Sequence, residues 1–169
     1  MSTDDTSTAA LIPNTIILGE RLYAQAIELV IQQAQHTLLM FDQDFSRGDY
    51  ASVLRHQSLQ QFLSRDAHTA LAIVLHQSDY LTTHCPRLME LLTTYGHKMT
   101  VYITNDSAKV AKDCFVIADN LHYVKRIHID QARFKYALDD AETCASLHMR
   151  FDELLEETSH TLSPTQLGL

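Results

Sequence analysis

The sequence predicts an α/β domain: a mixed, largely parallel sheet flanked by helices, with a C-terminal antiparallel hairpin and a closing helix. Three observations carry this. The short apolar runs "TLLMF", "TALAIVL" and "MTVYIT" are bounded by polar residues, as strands buried on both faces require. Between them lie segments with apolar residues at helical spacing, so helix and strand alternate and the connections are crossovers. After Asn105 the rhythm changes to closely spaced strands.

Residues 1–14 are small and polar, and are expected as a disordered leader that ends near Pro13. Leu18, Leu22, Ala26, Leu29 and Val30 then recur at the spacing of one helical face, which predicts a helix from Leu18 to Ala34. "TLLMF" is the first strand. A helix around "LQQFLSRD", the strand "TALAIVL", a helix around "PRLMELLTTYG" closed by Gly96, and the strand "MTVYIT" follow. "CFVIAD" and "HYVKRIHI" form a hairpin, because Asp119 and Asn120 between them tolerate left-handed backbone, and "FKYAL" completes a meander. From Ala141 to about Ser159 the residues Cys144, Leu147, His148, Phe151, Leu154 and Leu155 share one face of a closing helix. Residues 161–169 read as a tail, which leaves one domain over residues 15–160.

A chain of 169 residues is long enough to bury one core without staples. With 46% hydrophobic and 20% charged residues the composition is globular, which excludes a disordered or membrane class for the bulk of the chain. No apolar run could span a bilayer and "MSTDDTSTAA" lacks the parts of a signal peptide, so a cytoplasmic location is expected, with no membrane partner. Cys85, Cys114 and Cys144 lie far apart with no C-x-x-C pair, which fits reduced thiols and neither a disulfide frame nor a zinc site. A net charge of −8 speaks against a general nucleic-acid binder. The local cations Lys109, Lys112, Lys125 and Arg126 read as solvated strand positions.

In parallel sheets ligands gather beyond the carboxyl ends of the strands. Those ends carry Asp42 and Asp44, then His76 and Asp79, then Asn105 and Asp106. Such a rim can bind a cation or a cationic ligand, or its acids can simply cap the helices that follow. "LLMFDQDFS" also has the D-x-D outline of haloacid-dehalogenase-type phosphohydrolases. That alternative makes Asp42 the nucleophile and Asp44 the general acid, with Mg²⁺ held by Asp42 and by Asp139 or Asp140. Against it, no threonine stands two residues after Asp44 and no glycine-rich segment precedes the acidic pair.

Lys112, Cys114 and Asp119 have the spacing of H-x-K-x-x-x-x-D, the motif of phospholipase D-type enzymes. That chemistry needs an imidazole nucleophile, a lysine for the phosphate and an aspartate to orient the imidazole. Only the aspartate is present. Alternation would put Lys112 and Cys114 on one strand face, where a cation lowers a thiol pKa; a small buried thiol filling the core is the plainer reading.

From about Ile17 to Leu169 the chain resembles the phospholipase D-like domain of unknown function that proteobacteria carry alone or behind an acetyltransferase domain. The matching stretches are "ELVIQQAQHTLLMFDQDF", "HCPRLMELL", "DCFVIAD" and "MRFDELLEETSH". The resemblance implies a phospholipase D-like fold with a degenerate catalytic motif, no cofactor, and a homodimer like the single-repeat relatives of the wider superfamily. It implies little about activity; with two of the three motif roles empty, the reading is a binding or protein-interaction module and not an enzyme by that family's mechanism. Mg²⁺ belongs only to the phosphohydrolase alternative.

Overall fold

The computed structural model describes residues 11–164. The elements in chain order are β1 (Ile17–Leu18), α1 (Glu20–Gln33), β2 (Thr37–Asp42), α2 (Val53–Ser64), β3 (Ala70–Leu75), α3 (Asp79–His84), α4 (Pro86–Thr94) and β4 (Met99–Thr104). A 3₁₀ turn (Asp106–Val110) leads to β5 (Cys114–Ala118), β6 (His122–His128), β7 (Gln131–Ala137), α5 (Ala141–Glu156) and β8 (Thr158–Thr161). Among the described residues no helix is long and apolar enough to cross a membrane.

All eight strands form one sheet in the order β1-β7-β6-β5-β2-β3-β4-β8. The expectation of a largely parallel sheet is corrected: only β2–β3 and β3–β4 run parallel, and the other five pairings are antiparallel. The reason is the length of the connections. Helical crossovers return the chain to the same end of the sheet only between β2, β3 and β4, whereas hairpin turns join β5, β6 and β7 and reverse direction at each step. β5 then enters the middle of the sheet antiparallel to β2, with Leu38 opposite Ala118 and Phe41 opposite Phe115.

Alternation along the central strands feeds two cores. Leu38, Met40, Ile73 and Val116 face the layer of α1, α2 and α4, while Phe41, Val74, Phe115 and Ile117 face α5. This double burial is why these strands read as unbroken apolar runs. The turn between β5 and β6 places both Asp119 and Asn120 at φ 56, the left-handed pair that matches the twist of a two-residue hairpin.

Several boundaries move. The second helix begins six residues before "LQQFLSRD", because Ser52 caps it through the Arg55 N–H at 3.1 Å. The fourth ends at Thr94, and Gly96 beyond it is not left-handed, so it does not close the helix. The closing helix stops at Glu156, and the polar residues Thr158–Thr161 instead pair with β4 and form the edge strand of the sheet. Of the expected leader, residues 1–10 lie outside the described residues. Residues 11–14 run beside β7, where the Asn14 N–H meets the Tyr136 carbonyl at 2.9 Å and the Tyr136 hydroxyl donates to the Leu11 carbonyl at 3.0 Å. Of the expected tail, residues 165–169 lie outside the described residues.

Candidate functional site

β2 delivers Asp42 to one end of the sheet, buried, where its Oδ1 accepts the N–H groups of Asp44 at 3.2 Å and Phe45 at 3.0 Å. Burial lifts its pKa to about 6, against the pull of those amides. Asp44 caps the next turn through the Ser46 N–H at 2.9 Å. His76 sits beside them, since its N–H bonds to the Gln43 carbonyl at 3.0 Å. Its ring is fully engaged: Nδ1 lies 2.7 Å from the Thr104 hydroxyl and Nε2 lies 2.8 Å from the Ala111 carbonyl. Burial pushes the imidazole pKa down, which keeps it neutral, and its contacts tie the segment before β5 to β3 and β4.

The other rim residues do not converge on this point. Asp79 opens α3 and is exposed, and the exposed Asp106 pairs only with Lys109 at 3.3 Å. Asp139 and Asp140 lie at the opposite end of the sheet from Asp42. The Asp140 N–H bonds to the Leu121 carbonyl, beyond the end of β5 that pairs with the start of β2. Five residue steps of roughly 3.3 Å separate the two ends of β2, so a cation shared by Asp42 and Asp140 does not fit. Asp140 is the cap of α5, taking the Thr143 N–H at 3.0 Å and hydroxyl at 2.8 Å. Among the described residues no three His, Cys, Asp or Glu side chains are placed to hold a metal ion.

The motif segment is closed. β5 starts at Cys114, so Lys112 precedes the strand and is exposed, and the two do not share a strand face as expected. Cys114 is 0% exposed, and burial drives its thiol far above the ordinary range in place of the lowering that a neighbouring cation would give. Asp119 faces the far end of the sheet. Its carboxylate accepts three backbone N–H groups, from Gln35 at 2.8 Å, His36 at 2.7 Å and Thr37 at 2.9 Å, and so latches the α1–β2 connection to the hairpin.

Arg126, expected in solvent, is 1% exposed. It stands opposite Cys114 on β6, and strand alternation turns it toward α1. There its guanidinium grips Glu20 through two bonds of 2.7 and 2.9 Å and donates to the His128 and Ile129 carbonyls. The hydrogen bond from Arg126 holds the Glu20 carboxyl below its usual range.

Beyond Glu20 opens a feature that the sequence did not announce: a cleft of about 900 Å³ between α1 and residues 45–55. Its wall holds a second buried arginine, Arg55, which is paired with Glu28 and donates to the Gly48 and Ala24 carbonyls at 2.7 and 3.1 Å. Ser58 and Gln32 complete the Glu28 carboxylate. Phe45 and Tyr50 stack at 4.0 Å beside it. The loop is tightly turned, with Phe45, Gly48 and Asp49 all left-handed. Gly48 is required, because a Cβ there would meet Ile27 Cδ1 at 2.7 Å. Only the run "SRGDY" signalled a turn at this place.

The sequence profile of a domain of unknown function, DUF7931, matches residues 20–163. No curated protein matches the chain in sequence. Among solved structures it is similar to the archaeal chromatin protein TrmBL2, which shows a novel mode of DNA binding, at a TM-score of 0.63 and 13% identity over 92% of this chain and 58% of that one. It is similar to Nuc, a phospholipase D family member from Salmonella typhimurium, at 0.60 and 10% identity over 86% of this chain and 96% of that one. NucT from Helicobacter pylori gives 0.58 and 14% over 85% and 96%. The chain thus spans little more than half of TrmBL2 but nearly all of the two Nuc-type chains, and the fold is phospholipase D-like.

Proposed function

Because the chain belongs to the DUF7931 family and folds as a phospholipase D-like domain, we propose that it is a non-catalytic member of that fold, a binding or protein-interaction module. The observation that carries this is the state of the motif. The position that a phosphate-holding lysine would take is filled by a thiol with no exposed surface, and the position of the nucleophilic imidazole by an exposed lysine outside the strand. The remaining aspartate is spent on three backbone amides. A buried, protonated thiol neither attacks a phosphodiester nor holds its charge.

The module is cytoplasmic and pairs as a homodimer, the arrangement that the resemblance implies. DNA binding of the kind seen in TrmBL2 is not part of this proposal, since a net charge of −8 opposes a phosphate backbone. The separation of Asp42 from Asp140 leaves the magnesium phosphohydrolase without a support.

The test combines turnover of bis(p-nitrophenyl) phosphate, with and without Mg²⁺ or Mn²⁺, and light scattering of the purified chain. The expected result is no hydrolysis above the buffer rate and twice the chain mass. Hydrolysis that disappears on Asp42→Asn would overturn the non-catalytic assignment, and a monomeric mass at high concentration would remove the dimer.

A further inference from the structure

The cleft between α1 and residues 45–55 has the size of a small-molecule site, and its chemistry is selective. Charges on its walls are Arg21, Arg47 and Arg55 against Glu20, Glu28 and Asp49. Two of the three carboxylates are already claimed from within the protein, Glu28 by Arg55 and Glu20 by Arg126. Arg47 touches Glu20 only at 3.7 Å, with both side chains about half exposed. Arg21 makes no ion pair among the described residues. The mouth therefore offers Arg21, which has no ion pair among the described residues, and Arg47, which shares Glu20 with Arg126, beside the exposed Asp49, in a chain that is acidic as a whole.

Part of the lining is apolar. The Phe45–Tyr50 stack and Leu54, which is 56% exposed, line it together. Two further observations point to a ligand. The Nε–H of Arg55 is the one buried side-chain polar atom among the described residues without a hydrogen-bond partner, and Arg55 belongs to the cleft wall. A buried donor left open in this way needs an acceptor. The left-handed residues Phe45 and Asp49 store backbone strain in the wall, and such strain gathers at ligand clamps.

We propose that this cleft binds a small amphipathic anion, with its apolar body against the Phe45–Tyr50 stack and Leu54 and its carboxylate or phosphate on Arg21 and Arg47. The assignment rests on the reading of the domain as a binding module and names the ligand class of that module. Guanidinium groups suit both head groups, since each presents paired oxygens to a planar fork of donors.

The experiment is a titration of the full chain at low salt with octanoate, octyl phosphate, octanol and inorganic phosphate, followed by amide chemical shifts. At least one of the two anionic amphiphiles saturates and moves amides of residues 20–29 and 45–55, and the tighter one identifies the head group. Octanol and inorganic phosphate each bind about tenfold more weakly or worse, because each lacks one half of the recognition. The surface double variant Arg21→Gln/Arg47→Gln loses about tenfold for the anions and leaves octanol unchanged. Leu54→Ser weakens the amphiphiles and not inorganic phosphate. Absence of saturation by both anions, binding of octanol as tight as theirs, or unchanged affinity in the arginine variant each overturns the proposal. None of these outcomes alters the phosphodiester turnover or the mass of the chain, so failure of the ligand assignment is separable from failure of the module reading.

Discussion

Arg126 and Arg55 make an instructive pair. Both are buried arginines packed against α1, each bonded to a glutamate of that helix, Glu20 and Glu28, two turns apart. Each lies over a tyrosine ring, Arg126 over Tyr23 at 5.0 Å and Arg55 over Tyr50 at 5.3 Å. They differ in what surrounds the pair. Arg126 rises from a central strand, donates from all three guanidinium nitrogens, and has a partner that is 51% exposed. Arg55 stands on a helix beside a strained loop, keeps an open Nε–H, and has a buried partner. A buried charge pair can therefore be a closed strut or the wall of a site, and its other contacts decide which.

The largest expected effect separates the two. Arg55→Met leaves Glu28 buried with no countercharge, which costs on the order of 3–5 kcal/mol in urea unfolding. Adding Glu28→Leu to it should recover most of the loss, because replacing both ends of a buried pair by apolar groups is close to neutral. If the double variant is as unstable as the single, the Arg55 network is a packing device and the comparison fails.

Asp42 sits electrostatically between the two tyrosines, pushing both phenols up in addition to their burial. Its own pKa rises from the usual 3.8 to about 6 on folding. A raised pKa favours the folded state while the group is protonated. That stabilisation is complete below about pH 4 and is lost as pH climbs to and through 6. Asp42→Asn keeps an oxygen for the amides of Asp44 and Phe45, so at pH 7 it should stabilise the protein by on the order of 3 kcal/mol and flatten the profile between pH 4 and 6. Thermal melts across that window decide it. An unchanged slope in the variant would place the titration elsewhere.

The smallest effect is expected at the strut. Arg126→Met frees Glu20 toward water and leaves the His128 and Ile129 carbonyls short of donors, costing about 1–3 kcal/mol. A loss larger than that of Arg55→Met would reverse the ranking and make Glu20–Arg126 the more demanding pair.

Much of the frame was legible because burial on two faces writes itself into sequence. The runs at β2, β3 and β4 and the helical face of Cys144, Leu147, Phe151 and Leu154 appear with their boundaries nearly right. The Asp119–Asn120 turn was equally plain, since few residues accept left-handed backbone. Strand direction was not legible. Nothing local in "CFVIA" states that it will lie antiparallel beside β2, and nothing in "TSHT" marks an edge strand. The site was less legible still. Asp42, Asp44 and His76 were found at one end of the sheet, but the cleft draws on residues from Leu11 to Tyr80, most of them on α1 and the loop before α2, which come together only in the folded chain.

By itself the sequence determined the α/β class, the apolar strands and the hairpin, because each of these depends on residue type and short-range spacing. Only the tertiary structure decided that Arg126 is buried, that Asp119 is a latch, that Asp42 and Asp140 lie at opposite ends of the sheet, and that a cleft opens beside Arg55. The physical reason is range. Periodicity and backbone preference act over a few residues, whereas burial, charge pairing and cavities arise from contacts between segments that lie far apart along the chain, as Glu20 and Arg126 do.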